Sequence, residues 1–81
     1  MKDPRVEAGI VIAEVMSIGS SKDGRDESWR QMPRYFHMAK AARHAMTALM
    51  IELGIVRPDG EDHAKLALTR LAMALCIAPL H

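Results

Sequence analysis

PRYFHMAKAARHAMTALMIELG, residues 33–54, is the stretch that decides the fold. Taken at about 100° per residue it makes one long helix with two unlike sides. Tyr35, Ala39, Ala42, Met46, Leu49, Met50 and Leu53 share an apolar side, the kind an amphipathic helix turns to a core. Arg34, His37, Lys40, Arg43 and His44 lie opposite, and the stretch has a single carboxylate, Glu52, in its last turn. A basic side that broad, with no acid interleaved, points to an anionic ligand or partner.

Outward from this helix the chain divides simply. Before it, Ser20 to Met32 has no periodicity, and Ser-Ser-Lys-Asp-Gly-Arg-Asp-Glu-Ser reads as loop by composition. That loop, residues 20–32, ends in Ser28-Trp29-Arg30 with the chain's one Trp, which either anchors the loop on the core or stacks on a ligand ring. A first helix is expected over about 4–18, with Asp3 as its cap, Pro4 in its first position and Gly19 as its stop. Val6, Ile10, Ala13 and Ser17, with Val11, Val15 and Ile18, give it a wide apolar surface; Glu7 and Glu14, seven apart on one face, read as a solvated edge or an ion-pair stripe in preference to a carboxylate pair.

Beyond Gly54, Arg57-Pro58-Asp59-Gly60 fits a type I turn that leaves Asp59 to cap a third helix over about 61–78. Glu61 and Asp62 would then lie in its first turn, where the helix dipole favours anions. Leu66, Leu68, Leu71, Ala72, Met73, Leu75, Cys76 and Ile77 cover most of its directions, leaving a narrow stripe of His63, Ala67, Arg70 and Ala74. A helix this apolar is expected to pack on more than one neighbour and to meet a second copy of the chain. Pro79 ends it.

Composition agrees with an all-α fold in one domain, residues 1–81. Apolar residues make up 49% but aromatics only 4%, so Ala, Met and Leu carry the apolar mass, and these lead the helix scale. At 81 residues a lone core is marginal. The single cysteine, Cys76, excludes an internal disulfide and suits a reducing cytoplasm. A small bundle of three main helices completed by homo-oligomerisation is therefore expected. The net charge of +1 excludes bulk attraction to nucleic acid as the main theme. No stretch is long and apolar enough for a bilayer, so a soluble protein with no membrane partner is expected.

Catalytic signatures are absent: there is no phosphate loop of the Walker type, no nucleophile elbow and no His-Glu-x-x-His. His37 and His44, about 10 Å apart by helical rise, do not share one metal ion, so neither metal nor cofactor is expected. Cys76, in the apolar run, reads as a buried, inert thiol. The convergent set is cationic. With the second and third helices antiparallel, Arg43 and His44 approach the His63/Arg70 stripe, and Lys22, Trp29 and Arg30 close over it. Such a set grips phosphate. The alternative is that Arg43 and Arg70 pair with Glu52, Glu61 or Asp62 while the histidines fill helix interfaces.

The order Gly19-Ser-Ser-Lys22, Ser28-Trp29-Arg30, Tyr35, Arg43-His44 and a final Asp59-Gly-x-x-His63 helix resembles a known family. It is similar to the small helical phage and prophage proteins named for a dATP/dGTP diphosphohydrolase N-terminal-type domain. The likeness runs over about residues 16–78. Asp23 stands where that pattern has Tyr, Ser28 where it has Asn, and Leu66 where it often has a second His. Related all-α pyrophosphohydrolases hold magnesium on Glu-x-x-Glu pairs, and this chain has none. What the resemblance implies is nucleotide binding by Lys22, Trp29, Arg30, Tyr35, Arg43 and His44.

The leading expectation is a phage-type protein that binds a nucleotide or other phosphate-bearing small molecule, sequestering a cyclic-nucleotide signal in anti-defence. Its candidate ligand-binding residues are Lys22, Trp29, Arg30, Tyr35, His37, Lys40, Arg43, His44, His63 and Arg70. The first alternative is a non-enzymatic interaction protein that sets its basic helix side on an acidic host protein or a nucleic-acid site. A nucleotide pyrophosphohydrolase is the second. A DNA-binding helical module ranks last, because neither connection gives the short turn of a helix-turn-helix and the third helix is too apolar to read bases.

Overall fold

A computed structural model of the chain describes residues 1–23 and 28–80, with the side chains of 19–23 outside that description. Among the described residues the fold is all-helical: α1 (Pro4–Asp23), a 3₁₀ turn η1 (Ser28–Gln31), α2 (Arg34–Glu52) and α3 (His63–Leu75).

Local chemistry sets most boundaries. Asp3 caps α1 as its sequence position implies, its Oδ1 accepting from the Arg5 backbone N–H at 2.8 Å. The expected stop at Gly19 fails, and α1 runs one turn further to Asp23. Glycine ends a helix when the chain needs the left-handed conformation there, and that need arises instead at Gly54, where φ is +75°. The Gly54 N–H donates to the Ile51 carbonyl at 3.0 Å and the Ile55 N–H to the Met50 carbonyl at 2.9 Å, closing α2 with a Schellman motif.

Capping of α3 departs from expectation by three residues. Asp62, not Asp59, takes the cap, accepting from the Lys65 N–H at 3.2 Å. Glu61 and Asp62 thus precede the helix, which begins at His63 and ends at Leu75, short of the expected 78. Asp59 is left free for another partner.

α3 lies between the other two helices, packing extensively on α2 and less on α1. The apolar residues below a tenth exposed are Val11, Ala41, Ala67 and Ala74, so the α2–α3 contact is built on alanine. Small side chains let two backbones approach closely, and the polar groups between them must then find partners.

That requirement reverses the expected orientation of residues 33–54. The side that carries His37 and Ala41 faces α3, with His37 fully buried. Tyr35, Ala39, Ala42, Met46, Leu49 and Leu53 are exposed, Tyr35 at 61% and Leu53 at 64%. The reason lies in α3. Its His63/Ala67/Arg70/Ala74 stripe brings two polar side chains to the contact, and only the imidazole side of α2 can satisfy them. The large apolar residues of α3 are correspondingly less covered than expected, since Leu71 and Leu75 are exposed, and Cys76, expected to be buried, is an exposed free thiol at the end of the helix.

Candidate functional site

Two polar rungs cross the α2–α3 contact. His37 and His44 are seven residues apart on α2, and His63 and Arg70 are seven apart on α3, so an antiparallel pair brings them together two by two. In the first rung, an Arg70 Nη lies 3.0 Å from His37 Nδ1, and His37 Nε2 lies 2.8 Å from the Trp29 carbonyl. Guanidinium only donates and a carbonyl only accepts, which assigns the proton of a neutral His37 to Nε2. His37 therefore joins η1, α2 and α3 through one ring. The Trp29 and Phe36 rings meet it edge-on at 6.2 and 5.6 Å.

The second rung is a chain of three groups. His44 Nδ1 lies 2.8 Å from His63 Nδ1, with the rings stacked at 5.1 Å. His63 Nε2 lies 2.8 Å from Asp59 Oδ2. The carboxylate accepts from Nε2, so neutral His63 presents a lone pair at Nδ1 and His44 donates to it. His44 then keeps a basic Nε2. Its pKa is pushed below the ordinary 6.5, first by burial and then by His63, Arg70 and Lys40, with Glu61 opposing. The His63 hydrogen bond, helped by the Glu61 N–H, holds the Asp59 carboxyl below its usual range.

Positive charge gathers beside the rungs. Lys40 Nζ and Arg70 Cζ lie 5.3 and 5.9 Å from the Phe36 ring centroid. Arg70 is half-buried, and burial pulls its pKa down. Among the described residues, no carboxylate reaches ion-pair distance of Lys40, Arg43 or Arg70; the carboxylates pair with Lys2, Arg5 and His63 instead. Of the expected alternative, the pairing of Arg43 and Arg70 with Glu52, Glu61 or Asp62 is not found among the described residues, whereas His37 and His63 do fill the α2–α3 contact.

Comparison with protein-family models, with curated proteins and with solved structures gives no match to this chain. The resemblance to the diphosphohydrolase-type phage proteins therefore rests on residue order alone.

The structure joins some of the residues singled out from sequence and separates others. Trp29, His37, Lys40, His44, His63 and Arg70 belong to one connected region. Tyr35 sits on the opposite, exposed side of α2 and Arg43 is exposed on the helix surface, so neither joins it. The Arg30 guanidinium covers the Trp29 ring at 4.4 Å, which opposes the reading of that ring as a stacking platform. Lys22 falls in the last turn of α1, and its side chain lies outside the described residues.

Three groups escaped the sequence reading. Phe36 holds the two cations, and its signal was the spacing to Lys40, i to i+4. Asp59 polarises His63 at the same spacing, a signal hidden by its suitability as a cap. At the junction of η1 and α2, Trp29 Nε1 and Arg34 Nε are buried without hydrogen-bond partners among the described residues, and nothing in the sequence announces them.

A cleft of about 360 Å³ opens at the other end, lined by Ala48, Ile51, Glu52, Gly60, Glu61, Asp62, His63 and Ala64. Three carboxylates on its walls make it unsuited to an anion. Asp59, Glu61 and His63 offer ligand atoms within 4.8 Å of one another, but both acids are exposed and His63 Nε2 already engages Asp59.

Proposed function

We propose that this protein binds a small phosphate-bearing ligand beside the α2–α3 contact, with Arg70 as the main donor and Lys40 and His44 flanking it. The observation that carries the proposal is a half-buried guanidinium that faces an imidazole and an aromatic ring, and no carboxylate among the described residues. Taking a cation out of water without an anion is costly, and a bound phosphate supplies the missing charge together with acceptors for the remaining N–H groups. His44 fits the same role. An anion beside its Nε2 favours the imidazolium, which donates to His63 from one nitrogen and to the ligand from the other. Nucleotides are the ligand class favoured by the residue order quoted above. No hydrolytic step is part of the proposal, since the site lacks the paired carboxylates that hold magnesium.

The surface-docking alternative has less support. Of the five residues that form the basic side of α2, Arg43 alone is exposed.

Isothermal titration at low salt with inorganic phosphate, AMP, ATP and a cyclic dinucleotide tests the reading. Submillimolar binding of at least one is expected, tighter at pH 6 than at pH 8. Arg70→Met and Lys40→Ala should each weaken it roughly tenfold or more, with helicity checked by circular dichroism. No binding of any probe at millimolar concentration, or equal binding by both variants, would sink the proposal.

A further inference from the structure

We infer that a second copy of the chain covers the outer side of α2. Tyr35, Ala39, Ala42, Met46, Leu49 and Leu53 follow one another in steps of four, three, four, three and four. That is an unbroken 3.5-residue apolar repeat, the spacing of a coiled-coil seam. It runs the length of the 19-residue helix, about 28 Å by rise, directly opposite the side that packs on α3. Met46 is 56% exposed and Leu49 51%, so the seam is uncovered within a single chain.

The chain as a whole has more surface than a compact monomer of its mass. The chain exposes 6315 Å², whereas a compact monomer of 9.0 kDa should expose about 4,900 Å². Its radius of gyration is 13.4 Å against about 12 Å for a compact chain of this length. The excess, on the order of 1,400 Å², belongs to the whole chain, and the outer side of α2 contributes to it together with exposed apolar residues of α1 and α3; it leaves room for the roughly 800 Å² that each partner buries in a standard stable interface.

The seam fits its own copy when the two helices run antiparallel about a twofold axis. Tyr35 then meets the partner's Leu53, Ala39 the partner's Leu49, and Ala42 the partner's Met46. Small faces large in the two central layers, as interdigitating cores require. A lipid surface is a poorer occupant. A helix lying on a membrane keeps its charged face in water, and here that face is turned into the α3 contact. The second copy thus meets α2, where the sequence had placed it on α3.

Sedimentation equilibrium of the full chain from 5 to 200 µM reads the outcome, with a mass twice the 9.0 kDa of the chain expected. Leu49→Glu should raise the dimer dissociation constant roughly thirtyfold or more. Because Leu49 is half-exposed in the single chain, the variant should keep its helical spectrum. In a Cys76→Ala background, Ala39→Cys and Leu49→Cys chains should form a disulfide when mixed, and neither should do so alone. A monomer at 200 µM, a Leu49→Glu chain that still dimerises, or binding to phosphatidylcholine vesicles in place of self-association would overturn the inference. Disulfides formed by either cysteine variant alone would overturn the antiparallel pairing.

Discussion

Replacing His37 by Leu tests whether a buried imidazole, not apolar contact, holds α2 to its neighbours. The ring is fully buried and makes two hydrogen bonds, one from Arg70 and one to the Trp29 carbonyl. Losing the bond to the carbonyl costs about 1 kcal/mol, and losing the one from a charged donor about 1.5. Leucine fills similar space and returns about 0.5–1 kcal/mol through its greater apolar character. The net loss is about 1.5–2 kcal/mol, a sizeable part of the roughly 4–12 kcal/mol expected for a chain of 81 residues. At 4–8 °C per kcal/mol, the melting temperature should fall by roughly 6–16 °C. Urea unfolding followed by far-ultraviolet circular dichroism measures the free-energy loss, and a thermal melt at the same fixed protein concentration measures the shift in melting temperature. Combined with Arg70→Met, the change should be less than additive by about 1 kcal/mol, because the two residues share one bond. A His37→Leu chain within 0.5 kcal/mol of wild type, or strict additivity with Arg70→Met, would refute the reasoning.

Further outcomes follow from the helix ends and from His44. Gly54→Ala should lose about 1 kcal/mol in the same unfolding assay, since φ there is +75° and no atom lies near enough to clash. Gly9→Ala, in the middle of α1 with equally open space, should gain about 0.5–1 kcal/mol, and two shifts of the same sign would contradict the account. Asp62→Ala should cost about 1 kcal/mol through loss of the α3 cap, whereas Asp59→Ala should leave that cap intact and move the histidine resonances in NMR. The folded chain holds the His44 pKa below 6.5, so the unfolded chain takes up a proton first on acidification. Stability from this group is full above about pH 6.5 and declines as pH falls through it toward the lower folded value. Thermal melts should show that loss between pH 7.5 and 5.5, reduced in His44→Gln; greater stability at pH 5.5 would contradict the depressed pKa.

Periodicity and caps carried the helices legibly, because these depend on residues close in sequence. Residues 34–52 form the helix that the pattern of 33–54 implies, and Asp3 caps as its position suggests. The antiparallel meeting of His44 with His63 was also legible, since a short connection leaves two adjacent helices few arrangements. The orientation of α2 was not. An amphipathic pattern tells two sides apart but cannot say which is inward when a neighbouring helix carries polar groups needing partners. Asp59 was obscured for a related reason: as an acid near a helix start it suits a cap, and only three dimensions show Asp62 capping and Asp59 on His63. Trp29 contributes a carbonyl to the site, and a backbone group leaves no trace in sequence.

The two rungs have a further consequence for how the helices find each other. Surfaces lined by alanine look nearly alike after a shift of one turn, so α3 could slide from Ala41 toward Ala48 and lose little apolar contact. A four-residue slip would set His63 and Arg70 against alanine or methyl groups and strand two imidazoles away from water. Misaligned pairings are thereby made costly. In this chain the buried histidines act as registration marks, specifying one alignment among several that alanine alone would accept.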